Sequence, residues 1–152
     1  MELKDIAKKM CLKGKGILAA DESTGTIAKR FKSINVENLE TNRLIFRQTL
    51  FNSSAMKEYI GGVILFDETI RQKTTMGLTI PELISKNGAI PGIKVDKGAK
   101  SLAGSAEETV TEGLDGLRER LKEYYDLGAK FTKWRGVYNI SKDYPSQLSI
   151  QS

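Results

Sequence analysis

The chain has 152 residues and a formal charge of +5, from 24 Lys and Arg against 19 Asp and Glu, a length that suits one domain. Hydrophobic residues make up 39%, which separates it from disordered chains. There is no histidine and a single cysteine, Cys11, which excludes Ser-His-Asp and Cys-His nucleophiles, a disulfide framework and any CxxC metal or redox site. Acid–base or nucleophilic chemistry must then rest on Asp, Glu, Lys, Tyr or backbone groups, with no metal and no cofactor expected. Apolar runs such as Val63–Phe66 are far short of the ~20 residues that cross a bilayer, and Met1–Leu12 lacks an apolar signal core. The expectation is a cytoplasmic protein without a membrane partner. Nucleic acid is not expected as a partner either, because no basic run alternates with aromatic residues.

In chain order, Leu3–Leu12 predicts an amphipathic helix with Leu3, Ile6, Ala7, Met10 and Cys11 on one stripe, so Cys11 is expected in the core. Gly16-Ile17-Leu18-Ala19-Ala20-Asp21 is a short apolar run that stops at a carboxylate. Ser23 or Thr24 can cap a following helix through Ile27, Ala28 and Phe31. The next helix is expected over about Thr41–Phe51, with Leu44, Ile45, Leu50 and Phe51 inward. Gly61–Phe66 is a second apolar run, ending in Asp67 and Glu68. Pro81 opens a short helix, Glu82–Lys86, closed by Asn87-Gly88. Gly92-Ile93-Lys94-Val95-Asp96 makes a third strand. Leu114–Leu127 predicts a helix with Leu114, Leu117, Leu121 and Tyr124 on its apolar face and Gly128 at its end. Ala129–Arg135 is the fourth strand, with Trp134 packing outward, and Pro145 introduces a last helical segment, Ser146–Ser152.

Four buried-looking strands, each followed by helical sequence, spell β-α units and a parallel sheet. An open doubly wound sheet and half of a (β/α)8 barrel both fit. The barrel is favoured because Lys94, Lys133 and Arg135 interrupt otherwise apolar strands, as inward-pointing side chains would, and because neither a GxGxxG nor a GxxxxGK[ST] motif is present.

In such a sheet the site forms at the C-terminal strand ends. That rule collects Asp21, Glu22 and Ser23, then Asp67 and Glu68, then Lys94 and Asp96, then Lys133 and Arg135. Period two puts Lys94 with Asp96, and Lys133 with Arg135, on common faces. Three cations beside one or two carboxylates suit an anionic, phosphate-bearing substrate. Each residue also has a plainer role open to it. Asp21 can be a helix cap, Lys94 and Asp96 a rim ion pair, and Lys133 and Arg135 a solvated edge. Ser23–Thr26 can be capping residues or, as hydroxyls and N–H groups at a helix start, phosphate ligands. Asp67 and Glu68 read as structural. A lysine crowded by other cations in a desolvated pocket can attack a carbonyl to form a Schiff base.

The segments Gly14–Gly25, Gly61–Phe66, Gly92–Gly98, Gly113–Leu117 and Phe131–Arg135 together resemble the class I fructose-1,6-bisphosphate aldolases, in correct order over nearly the whole chain. The resemblance implies a (β/α)8 barrel that cleaves fructose 1,6-bisphosphate through a lysine Schiff base without metal, and a homo-oligomer when full length. By similarity, Asp21 assists proton transfer and holds substrate hydroxyls. Lys133 binds substrate and stabilises the carbinolamine steps, with Arg135 beside it. Ser23, Thr26 and Lys94 contact one phosphate, and Lys29, Arg30 and Arg43 match positions near the other end of the substrate. Thr26 stands where animal members have Ser, which keeps the hydroxyl. The family's catalytic glutamates and Schiff-base lysine belong to its fifth and sixth strands, which have no counterpart in residues 1–152. The expectation is therefore an N-terminal half of a barrel over residues 1–152, inactive alone. The alternative is a non-catalytic sugar-phosphate-binding or half-barrel interaction module.

Overall fold

The computed structural model describes residues 2–152. Helix α1 (Leu3–Met10) precedes strand β1 (Gly16–Ala20), which is followed by α2 (Thr24–Ser33), α3 (Glu40–Phe51) and α4 (Ala55–Tyr59). Strand β2 (Ile60–Leu65) leads to α5 (Asp67–Arg71) and α6 (Ile80–Lys86), and β3 (Ile90–Lys94) leads to a hairpin of β4 (Ala99–Ser101) and β5 (Thr109–Thr111). Helix α7 (Leu117–Asp126), strand β6 (Phe131–Lys133) and helix α8 (Gln147–Gln151) complete the order. The main sheet runs β1-β2-β3-β6, every neighbouring pair parallel, while β4 and β5 pair antiparallel on their own.

Alternation along the strands sorts side chains onto two faces. One face carries Ala20, Val63, Leu65, Ile93 and Val95 into the main core, where they meet Phe51, Met56, Ile70, Ile80, Leu83, Ile84 and Tyr124 from the surrounding helices and loops. The opposite, concave face carries Gly62, Gly92, Lys94, Phe131 and Lys133. Its floor is closed by α1, whose Ile6 and Met10 pack with Ile90 and Phe131 at the N-terminal ends of the strands. Glycine is required here by close approach. A Cβ on Gly92 would lie 2.4 Å from the Phe131 ring, and one on Gly61 would lie 2.4 Å from the Met10 carbonyl oxygen. This is a quadrant-by-quadrant barrel plan, with helices outside, charged side chains inside and a plugged base.

Several expectations need correction. Strand β1 is not buried on both faces: Ile17 is 47% exposed, on an edge strand that pairs on one side only. In α3 the inward stripe is Arg43, Arg47 and Phe51, at steps of four, and this turns Ile45 to the far side, 59% exposed. Leu114 is 72% exposed and precedes α7, because Gly113 and Gly116 both take positive φ and delay the helix to Leu117. On α1 only Ile6 and Met10 are buried, so Leu3, Ala7 and Cys11 face solvent; the floor is narrow and accepts one residue per turn. The fourth strand is shorter than expected, which leaves Trp134 and Arg135 in the segment after it.

Candidate active site

Side chains at the C-terminal ends of the two edge strands meet. Lys133, the last residue of β6, donates from Nζ to Asp21 Oδ2 at 3.0 Å, across 112 residues of sequence. Asp21 follows β1 directly, and its side chain is 14% exposed against 31% for Lys133. The curl of the sheet brings these two side chains together over its concave face. Lys94, the strand neighbour of Lys133, sits beside them with its ammonium 6.0 Å from the centre of the Phe66 ring. Among the described residues no acidic partner lies within ion-pair distance of Lys94. Asp96 is committed elsewhere: it accepts from the Gly98 N–H at 3.2 Å and the Arg135 N–H at 3.2 Å, which ties the loop after β3 to the segment after β6. The rim ion pair of Lys94 with Asp96 is not formed.

Ser23 caps α2, accepting from the Thr26 N–H at 3.3 Å, and its hydroxyl lies 3.1 Å from that of Thr26. Ser23, Phe66, Lys94, Asp96, Arg120 and Tyr124 are among the residues lining a cleft of about 650 Å³, and Asp21 and Lys133 are not part of that lining. Its volume is that of a small phosphorylated molecule, and its lining includes a helix-start hydroxyl and an unpaired ammonium. Arg135 and Lys29 are exposed, and Arg30 forms an ion pair with Glu22. The structure does not bring Arg43 to the cleft. It is 8% exposed and makes two hydrogen bonds to Glu68, at 2.8 and 2.6 Å, and two to Asn38. The grip is mutual: hydrogen bonding to Arg43 holds the Glu68 carboxyl below the usual carboxylate range and raises the Arg43 guanidinium.

The second carboxylate of that pair of neighbours, Asp67, accepts from Arg71 at 2.9 Å and from the Tyr124 hydroxyl at 2.8 Å, pinning α5 to α7. Burial pushes its carboxyl up, but these hydrogen bonds and the Arg71 and Arg120 charges outweigh that and leave it below the ordinary range. Arg120 donates to the carbonyls of Val95 and Gly113, holding the loop after β3. The sequence marks Tyr124 only as a core residue of its helix and does not mark Arg47 or Arg120. The only trace they leave is helical spacing: Arg47 stands one turn after Arg43, and Tyr124 one turn after Arg120. Among the described residues no three His, Cys, Asp or Glu side chains gather as a metal site would need.

A family model described as fructose-bisphosphate aldolase class-I matches residues 2–152. A probable fructose-bisphosphate aldolase class 1 of Xylella fastidiosa is 56% identical over 151 residues, covering 99% of this chain and 45% of that protein. The cytosolic fructose-bisphosphate aldolase 5 of Arabidopsis thaliana is 58% identical over 150 residues, covering 99% of this chain and 42% of that protein. The fold superimposes on a fructose-bisphosphate aldolase of Plasmodium falciparum, solved in complex with TRAP and a small-molecule inhibitor. The TM-score is 0.92 at 49% identity, over 96% of this chain and 43% of the other. The chain thus spans under half the length of the relatives it matches, and its four parallel strands are half of the eight in an aldolase barrel. With its motifs in order and its strands in register on the aldolase barrel, the chain belongs to the class I fructose-bisphosphate aldolase family.

Proposed function

We propose that residues 1–152 supply the proton-handling and phosphate-gripping half of an enzyme that reversibly cleaves fructose 1,6-bisphosphate to dihydroxyacetone phosphate and glyceraldehyde 3-phosphate. The observation that carries this is the Asp21–Lys133 contact at the open end of the concave face. A carboxylate can take the proton of the substrate's C4 hydroxyl as the C3–C4 bond breaks, and an adjacent ammonium can stabilise an alkoxide or carbinolamine oxygen. The bond's electron pair passes to an iminium formed between the C2 carbonyl and a lysine amine, giving an enamine that regains a proton at C3 before hydrolysis, with water lost as the iminium forms and regained at its hydrolysis. Lys133 is held by Asp21 in the other role, so the nucleophilic amine is assigned to a lysine outside these residues.

Ser23, Thr26 and Lys94 are assigned one phosphate: Ser23 and Lys94 line the cleft, Thr26 is hydrogen-bonded to Ser23, and N–H groups and the helix dipole at the α2 start favour an anion. Lys29, Arg30 and Arg135 are exposed, and the family resemblance assigns Lys29 and Arg30 to the other end of the substrate and Arg135 to a place beside Lys133. Arg43 contributes as a brace for Glu68 behind the site. A cytoplasmic location is supported by the cytosolic naming of the plant relatives, and assembly into a homo-oligomer by the family resemblance.

The test is borohydride trapping with dihydroxyacetone phosphate in EDTA, read by intact mass and peptide mapping. Residues 1–152 alone are expected to give no adduct, and the full-length polypeptide that carries them is expected to give one, beyond residue 152. An adduct on Lys133 or Lys94 in the short chain would overturn the assignment of the nucleophile. No adduct in either form would leave a non-catalytic sugar-phosphate binder.

A further inference from the structure

Arg47 has the lowest exposure of any charged side chain among the described residues, at 0%. Its Nη2 donates to the main-chain carbonyl of Glu22 at 2.6 Å. The rest of the guanidinium is poorly matched. Nε and Nη1 are buried without a hydrogen-bond acceptor, Glu68 Oε1 is 3.8 Å from Nη1, and the Phe66 ring centre lies 5.9 Å from the guanidinium carbon. Burial depresses its basicity despite the charges of Glu22, Glu68 and Asp21 nearby. A buried guanidinium paired this incompletely is a poor way to stabilise a fold, since an apolar side chain of similar volume commonly does as well or better. Its one good hydrogen bond goes to the residue between Asp21 and the cap Ser23. Glu22 is gripped from its other end as well: its carboxylate pairs with Arg30, while its Oε2 is buried without a donor.

We propose that Arg47 is a positioning residue for the reaction: by holding the Glu22 carbonyl it fixes the turn from β1 into α2, and so sets the Asp21 carboxylate within hydrogen-bonding distance of Lys133. The proposal rests on Asp21 being the proton-handling carboxylate. Arg47 is fully buried and is assigned no substrate contact. Its effect reaches the chemistry through one peptide unit, and small errors in placing a reacting group are costly.

The experiment compares Arg47→Met and Arg47→Lys with the parent in the full-length polypeptide, with rates normalised to trapped Schiff base. Arg47→Met is expected to lower kcat by about tenfold to a hundredfold with KM changed far less. Arg47→Lys keeps a donor for the same carbonyl and is expected to recover most of that loss. A second readout is independent of activity. Acetylation of Lys133, followed by mass spectrometry against Lys94 as internal reference, is expected to speed up by up to about fivefold in Arg47→Met as the partly exposed pair with Asp21 loosens. Unchanged kcat and unchanged Lys133 reactivity in Arg47→Met would overturn the proposal, and so would equal impairment of the Met and Lys variants. Should Arg47→Met fail to fold, Arg47→Gln, too short to reach the carbonyl, takes its place with the same expectations. If the parent itself does not cleave the bisphosphate, the functional reading fails while Lys133 reactivity still decides the role of Arg47. An active parent with unaltered variants leaves the functional reading standing and removes Arg47 from it.

Discussion

A carboxylate and an ammonium in contact share one job, that of moving a proton without creating an isolated charge. Replacing Asp21 by Asn keeps a hydrogen bond to Lys133 yet removes the proposed base, so in the full-length polypeptide kcat for cleavage is expected to fall by about a hundredfold or more, with a smaller change in KM. Lys94→Met should do the reverse, raising KM for the bisphosphate while kcat moves less, because a phosphate contact is made equally in ground and transition states. Steady-state kinetics on the two variants separates these roles, and reversal of the pattern would exchange them. Behind the site, the depressed Glu68 carboxyl has a stability consequence. Its folded state favours the ionised form, so the contribution is full above the ordinary carboxylate range and is lost as pH falls through the lowered value. Glu68→Gln is expected to melt lower at neutral pH and to lose less on acidification than the parent, as read by thermal unfolding across an acid pH series.

At the scale of elements, the base of the half barrel depends on what its strands leave out. Phe131 fills the space that a side chain on Gly92 would occupy, and α1 covers the result. Gly92→Ala is therefore expected to cost about 1–3 kcal/mol of stability by overpacking. A smaller residue at 131 should return part of the loss, so Gly92→Ala with Phe131→Leu would melt above Gly92→Ala alone in urea titrations; additive losses would count against the contact. The strands themselves were legible in the sequence, because short apolar runs bounded by glycine and carboxylate have few other structural solutions. Lys94 and Lys133 were legible as inward-pointing because a charge inside such a run must face a polar interior. Arg43 and Arg47 were harder to read. An arginine on a helix ordinarily signals the solvated face, and here two of them form the buried stripe, displacing Ile45 outward. The β4–β5 hairpin left no signal either, since its strands are three residues long and carry only half-buried or exposed positions.

For the molecule as a whole, β1 and β6 are the two free edges of a parallel sheet whose concave face is half lined. Ile17 exposes 47% of its surface there, and Trp134, Tyr138, Ile140 and Leu148 are also exposed on the β6 side. Unpaired edges and uncovered apolar surface drive association. Residues 1–152 by themselves are expected to sediment as concentration-dependent oligomers and to bind a hydrophobic dye. A stable monomer with a sharp cooperative melt would show instead that the four units are self-sufficient. The same arrangement sets the timing of assembly. Asp21 leaves the ribosome 112 residues before Lys133, an interval of roughly 6–22 s at ordinary synthesis rates. Helix α1 must wait somewhat longer for Phe131, its partner at the floor. These early residues are thus held open until residues 131–133 arrive, and a nascent chain of this kind spends those seconds as a client for whatever shields it.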